Sequence, residues 1–307
     1  MKDGWVASLL FVLPSSMLII GFIFFPFPLS PQQHSLLLIP LFASLFLLFV
    51  GYLRKSNGKL LRFFGWIIFA FYWSTQPSSL YFYENGDIVN AFICSAGVYV
   101  LVYFAYKEIY SNAPCLRWLA GTASISGLTY FTVENIPVLR NGLINLVAHQ
   151  SAFLLSVFSD RVMVDGNMIW YGKDYDLLLA HGSAPTAEII FACTAIQSIL
   201  LFVGMICSLN SKLSSKIHAL LLTVPTIYVL NLFRNACIIF LSGSRIVNMN
   251  IAHNYIGKTG SLIALIVLLF FILKILPELN DQLSCVFDLP KMEGPAERFI
   301  KDRVVRR

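Results

Sequence analysis

The sequence predicts an all-α polytopic membrane protein of about eight transmembrane helices, with an outer amphipathic helix and a small β-hairpin ahead of a cysteine-bearing helix. Three observations lead there. Hydrophobic residues make up 57% of the 307-residue chain and charged residues only 12%, about half the charged share of a soluble domain. The mean hydropathy is +0.73. The basic residues fall between long apolar runs rather than on one face, which is the pattern of membrane topology and not of nucleic-acid binding.

A span needs about 20 mostly apolar residues. Runs at 5–25, 36–53, 60–76, 88–106, 116–133, 188–207, 217–241 and 252–276 meet this. Arg54, Lys55, Lys59 and Arg62 form one basic connection, Lys107 with Arg117 a second, and Lys212 with Lys216 a third. The tail carries Lys291, Arg298, Lys301, Arg303, Arg306 and Arg307. Segments 26–35 and 77–87 have no Lys or Arg. With eight spans all basic connections fall on the cytoplasmic side, as do both termini. No cleavable signal peptide is expected.

Segment 138–158 then lies on the outer side. Asn141, Asn145, His149, Ala152 and Ser156 form a small or polar stripe, and Leu139, Leu143, Leu146, Phe153, Leu154 and Val157 an apolar face. That reads as an amphipathic helix at the interface; the alternative is a packed ninth span. Next, Val162-Met163-Val164, Asp165-Gly166-Asn167 and Met168-Ile169-Trp170-Tyr171 read as a β-hairpin around an Asp-Gly turn. A lone hairpin is marginal in water, so it should pack on the helices as a cap. The chain divides into N-terminal helices 1–133, an outer cap 134–187, a three-helix core 188–276 and a cytoplasmic tail 277–307.

Ionisable groups inside a membrane are costly and point to function. Cys193 lies about five residues into 188–207, Arg234 about seven residues from the outer end of 217–241, and His253 at the start of 252–276. At 1.5 Å per residue all three fall within about 10 Å of the outer boundary. Asn231, Arg234 and Asn235 share a helical face; Gln197 is one turn from Cys193, and Thr194 and Asn254 adjoin Cys193 and His253. A thiolate is the strongest side-chain nucleophile at neutral pH, an imidazole can protonate a leaving amine, and a guanidinium can stabilise an oxyanion. The plain alternative is packing: a membrane Cys is a small hydrophobe, which is how Cys94, Cys115, Cys207, Cys237 and Cys285 read. No CxxC or HExxH occurs, so neither a disulfide framework nor a metal site is expected. No cofactor motif is present, and nucleic acid is not an expected partner.

At these residues the sequence resembles the exosortase/archaeosortase superfamily. The strings are Ala192-Cys193-Thr194-Ala195-Ile196-Gln197-Ser198, Val229-Leu230-Asn231-Leu232-Phe233-Arg234-Asn235 and Ala252-His253-Asn254, and the specific likeness covers about 188–260. Such a relationship implies a cysteine transpeptidase in the cell membrane with its active site near the outer face. Cys193 would be the nucleophile, Arg234 the support for the carbonyl or thiolate, and His253 the acid/base. Partners would be surface proteins, such as an S-layer glycoprotein, that carry a C-terminal sorting signal (a Pro-Gly-Phe-type motif, one helix, a basic tail), and a membrane lipid acceptor. One departure is visible: family members usually have Gly two residues after the Cys, where Ala195 stands here.

Two other readings are open on the residues alone. A transporter or channel could use Arg234 and His253 without covalent chemistry, although no repeat or paired broken helix supports it. A lipid-modifying acyltransferase could use Cys193 with a different donor.

Overall fold

A computed structural model describes residues 2–54, 57–83 and 88–305. Lys55, Arg306, Arg307 and the end of segment 77–87 lie outside the described residues. The chain forms two compact units, one of residues 1–128 with 279–307 and one of 129–278.

The first unit contains α1 (Lys2–Phe24), α2 (Pro31–Leu53), α3 (Lys59–Ser74), the short α4 (Pro77–Tyr83), α5 (Ile88–Tyr110), most of α6 (Pro114–Asn135) and the tail helices α12 (Pro277–Asp288, in part) and α13 (Pro295–Val305). α2 opens with a capping box: Gln33 N donates to Ser30 Oγ at 3.2 Å and Ser30 N to Gln33 Oε1 at 2.9 Å, which satisfies two otherwise orphaned donors. Leu41, Leu45, Leu48, Trp66, Ala70, Val98 and Val102 are buried between α2, α3 and α5. Most large apolar side chains of α1 face outward, including Phe11, Phe22 and Phe24, as expected where lipid is the solvent.

The basic connections are not merely loop charges. Arg62 grips Glu108 through two bonds, Nε–Oε1 at 2.7 Å and Nη2–Oε2 at 2.9 Å, and donates Nη1 to Gly51 O at 2.9 Å. Lys107 is fully buried, 2.7 Å from Glu297 and over the rings of Tyr103 and Tyr106. Both tyrosine hydroxyls donate to Glu297, at 3.0 and 2.7 Å. These contacts dock the tail on α5. Cys115 and Cys285 form a disulfide across 170 residues, against the expectation that both are packing thiols. Local spacing could not show this pairing, because only the folded chain brings the two residues together.

The second unit holds α7 (Pro137–Ser156), β1 (Val162–Asp165), β2 (Met168–Tyr171), α8 (Lys173–His181), β3 (Ala187–Glu188), a 3-10 turn (Phe191–Thr194), α9 (Ile196–Ser208), α10 (Leu213–Gly243), a π-helical turn (Ile251–Gly257) and α11 (Lys258–Ile275). The expected hairpin is present, with Asp165 paired to Met168. Its two-residue turn is Gly166-Asn167 rather than Asp165-Gly166, and the positive φ of 57° falls on Gly166, as a type II′ turn requires. A third strand, β3, was not anticipated; it pairs with Met168 and Ile169.

The cap packs as the marginal stability of a hairpin demands. Ile169 and Tyr171 of β2 join Val147, Ala148, Ala152 and Leu155 of α7 and Ile239 of α10 in one buried cluster, against which Cys193 also packs. The face of α7 that meets protein is Val147, Ala148, Ser151, Ala152 and Leu155; of the small or polar stripe read in the sequence only Ala152 is buried, whereas Asn141, Asn145, His149 and Ser156 are exposed. The helix's apolar face, with Leu139, Leu146, Phe153 and Val157, is exposed and suits contact with hydrocarbon.

Among the described residues five helices are long and apolar enough to cross a membrane: Gly4–Phe24, Pro31–Leu53, Ile88–Tyr110, Leu213–Gly243 and Ile251–Ile275. Length and composition therefore do not establish the count of eight. The expected span 188–207 is the clearest correction. Its first part is spent on β3 and the 3-10 turn, and α9 has only 13 residues, about 20 Å at 1.5 Å each.

Candidate active site

Cys193 is not inside a helix but in the 3-10 turn that precedes α9. The turn closes on itself: Cys193 N donates to Ile190 O at 2.8 Å, and Thr194 Oγ1 to Phe191 O at 2.7 Å. Thr194 is thus a local brace, and it is buried. The chain then reverses through Ala195, which has φ 63° and ψ −4°. For a residue with a Cβ this left-handed conformation costs about 1–2 kcal/mol. Glycine adopts it freely, so Ala195 carries a strain at this position that a glycine would not.

α10 holds the turn from the other side. Asn231 Nδ2 donates to the backbone carbonyl of Cys193 at 2.8 Å and Asn235 Nδ2 to the same oxygen at 3.0 Å. Both carboxamides are at least nine-tenths buried. One helical turn of α10 thereby fills both lone pairs of one carbonyl. This fixes where the Sγ stands.

Arg234 projects from that same turn, within electrostatic reach of Cys193. Its Nε is buried with no hydrogen-bond partner, and it makes no ion pair among the described residues. Glu188, a carboxylate of the same unit, accepts from Asn167 at 3.0 Å. Gly257 lies against the guanidinium: a Cβ there would stand 3.3 Å from Arg234 Nε and 2.7 Å from Ile238 Cδ1.

His253 sits in the middle of the π-helical turn, half-buried and within electrostatic reach of Arg234 and Lys258. π-turns inside helices are rare and concentrate at functional sites, and nothing in the local sequence marks this one. Asn254, by contrast, faces out and pairs with Asn250, so it does not join the cluster. The structure thus brings Cys193, Asn231, Arg234, Asn235 and His253 together from the 3-10 turn, α10 and the π-turn.

One partner was missed in the sequence. Gln197 Nε2 donates to the Tyr130 hydroxyl at 3.0 Å, which donates to Glu134 Oε1 at 3.3 Å. Tyr130 also lies against the ring of Phe191, 5.3 Å between centroids. It sits 67 positions before Gln197, beyond any local pattern. Among the described residues no group of His, Cys, Asp and Glu could hold a metal ion.

A clamped thiol, a cation beside it and an imidazole on a distorted turn suit nucleophilic acyl chemistry. The chain is 24% identical to archaeosortase A of Haloferax volcanii over 256 residues, 73% of this chain and 83% of that one. It is also 24% identical to archaeosortase A of Natronomonas pharaonis over 183 residues, 58% of this chain and 56% of that one. No solved structure matches it. The family described as Transmembrane exosortase (Exosortase_EpsH) matches residues 9–273. That match takes in the N-terminal helices as well as all three site segments, and the chain belongs to the transmembrane exosortase family.

Proposed function

We propose that the protein is a membrane-embedded cysteine transpeptidase. It cleaves a C-terminal sorting signal from surface proteins and passes them to a membrane lipid. The observation that carries this reading is the doubly held Cys193 carbonyl beside Arg234: a thiol that served only for packing would have no need of two buried carboxamides on its own backbone.

The chemistry balances with these three side chains. The Cys193 thiolate attacks the scissile carbonyl and forms a C–S bond, with the oxyanion stabilised by the Arg234 guanidinium. The amide C–N bond breaks, and the leaving amine takes a proton from the His253 imidazolium. The client is then held as a thioester. An acceptor amine attacks it, the C–S bond breaks, the amine's proton returns to His253, and Cys193 leaves as thiolate. Clients with a Pro-Gly-Phe-type motif, a single helix and a basic tail, such as S-layer glycoproteins, fit this scheme at the outer face of the plasma membrane. A scissile motif at the interface meets a nucleophile in a turn rather than deep in a helix.

The test is co-expression with such a client, followed by intact mass of the client. Loss of its terminal helix and gain of a lipid-sized mass with the wild type, and neither with Cys193→Ala, is the expected result. An untouched client with both, together with a Cys193 that no thiol-reactive peptide trap captures, would sink the reading.

A further inference from the structure

Three stretches of chain connect the site residues to the walls of one cleft of about 580 Å³ in the second unit. Ser242 is eight residues beyond Arg234, Thr186 seven residues before Cys193, and Met249 four residues before His253. All three line the cleft.

A hydrogen-bonded frame holds these walls. Asp174, at the start of α8, accepts from Arg245 Nη2 at 2.5 Å and from Thr186 Oγ1 at 2.9 Å. Thr186 Oγ1 accepts in turn from Tyr171 N at 2.9 Å. Asn248 Oδ1 accepts at 2.8 Å from the backbone N–H of Ile251, the first residue of the π-turn that carries His253. Arg245 supplies the recognition group. It holds φ 60°, a conformation that glycine adopts freely and other residues at a cost, and strain of this kind gathers at functional sites. The side chain kept in spite of that strain is more than half exposed. Asp174 engages only Nη2, so the rest of the five-donor fork is left for a ligand.

Chemistry chooses the occupant. Among the described residues the lining carries one acid, Asp174, and one base, Arg245, and the two are paired. Neither a metal ion nor a phosphate finds there a net charge of the sign it needs. Leu177, Pro185, Val247 and Met249 offer apolar contact beside the donors of Arg245 and Asn248. Extended polypeptide matches that mixture, with main-chain carbonyls to accept and side chains on alternate sides to pack.

We propose that this cleft holds the client chain on the N-terminal side of the scissile bond, with Arg245 donating to a main-chain carbonyl. The direction of the chain rests on the transpeptidase reading: the client's helix follows the scissile bond into the membrane, so the part that leaves the site outward precedes it. Ser242 stands about 12 Å along α10 from Arg234. Extended chain covers that distance in about four residues, so the client residue about four positions before the scissile bond lies at Arg245.

Arg245→Gly is the decisive variant, because it removes the guanidinium and relieves the left-handed backbone together. The probe is a synthetic client of one helix, a Pro-Gly-Phe-type motif and a polar leader ahead of the motif, given to the purified full chain. Arg245→Gly should raise KM about tenfold with kcat unchanged, the pattern of binding lost equally from ground and transition states. A client without the leader should show the raised KM already, and Arg245→Gly should raise it no further. Photo-leucine about four positions before the scissile bond, presented to Cys193→Ala, should label the peptides 174–186 or 245–249. An unchanged KM with the long client, an equal rise with both clients, or leader labels outside the cleft overturns the proposal and leaves the transpeptidase reading standing. Cleft labels in Cys193→Ala with no client cleaved by the wild type would retain the peptide cleft and remove the transpeptidase reading. Neither labels nor cleavage would remove both.

Discussion

Asn231 Nδ2 lies 2.8 Å from the carbonyl oxygen of Cys193, 38 residues earlier in the chain. The bond ties the helix that carries Arg234 to the backbone of Cys193 and so couples the position of the guanidinium to that of the thiol.

Because Asn235 reaches the same oxygen, the pair should be non-additive. Removing one donor by Asn231→Leu or Asn235→Leu should cost about 1 kcal/mol of site stability and a modest loss of thioester formation. Removing both strands a buried carbonyl and should cost about 1–3 kcal/mol more. Single-turnover trapping of the four-member cycle measures the coupling, and strictly additive losses would show that the two bonds act separately.

Ala195 predicts a gain of function in stability. Ala195→Gly should relieve the left-handed strain by about 1 kcal/mol and raise the thermal midpoint in detergent, with activity kept. Ala195→Val should lower both. A midpoint unchanged by Ala195→Gly would mean that the strain is offset by the packing of the methyl group.

Gly257 and Gly260 differ in what a methyl group would meet. Gly257→Ala forces contact with Ile238 and Arg234 and should reduce the rate of thioester formation by about tenfold, the equivalent of roughly 1.4 kcal/mol. Gly260→Ala enters open space and should be silent in the same assay. Equal effects would remove the claim that the absent Cβ at Gly257 sets the position of the guanidinium.

Tyr130→Phe deletes the hydroxyl that links Gln197 to Glu134 and keeps the ring against Phe191. The turn should stay folded while client cleavage falls several-fold. Gln197→Ala should produce the same loss, and the double variant should be no worse than either alone.

Glu297 gives a pH dependence of known sign. Burial works to raise the pKa of its carboxyl, but hydrogen bonds from Lys107 and Tyr106 and the Lys107 charge outweigh it and hold the group below the ordinary range. A carboxylate depressed in the folded state stabilises fully above its unfolded value. It loses that contribution as pH falls below about 4.5 towards the folded pKa. Thermal midpoints should therefore be flat near neutrality and drop on acidification, and Glu297→Gln should flatten the acid limb while lowering the neutral value.

The membrane character, the mostly helical fold and the hairpin were legible in the sequence, because apolar run length and turn chemistry act locally. Arg234 was conspicuous on local grounds too: a cation two turns inside an apolar run needs an explanation wherever the chain goes. What the linear pattern could not supply depends on residues far apart. The run 188–207 reads as one continuous span, and only the pairing of β3 with β2 and the left-handed Ala195 show that residues 188–195 stand ahead of α9. The Cys115–Cys285 bond spans 170 residues, and Tyr130 finds Gln197 across 67. The division of α7 into a polar stripe and an apolar face did not locate the packed face, which is Val147, Ala148, Ser151, Ala152 and Leu155, because which side packs depends on the strands and on α10. Hydrophobicity alone thus determined that these segments leave water and roughly where. Packing decided which backbone breaks, which side chains grip Cys193 and where space remains beside it, because those outcomes follow from shape and hydrogen-bond satisfaction between elements that meet only once the chain is folded.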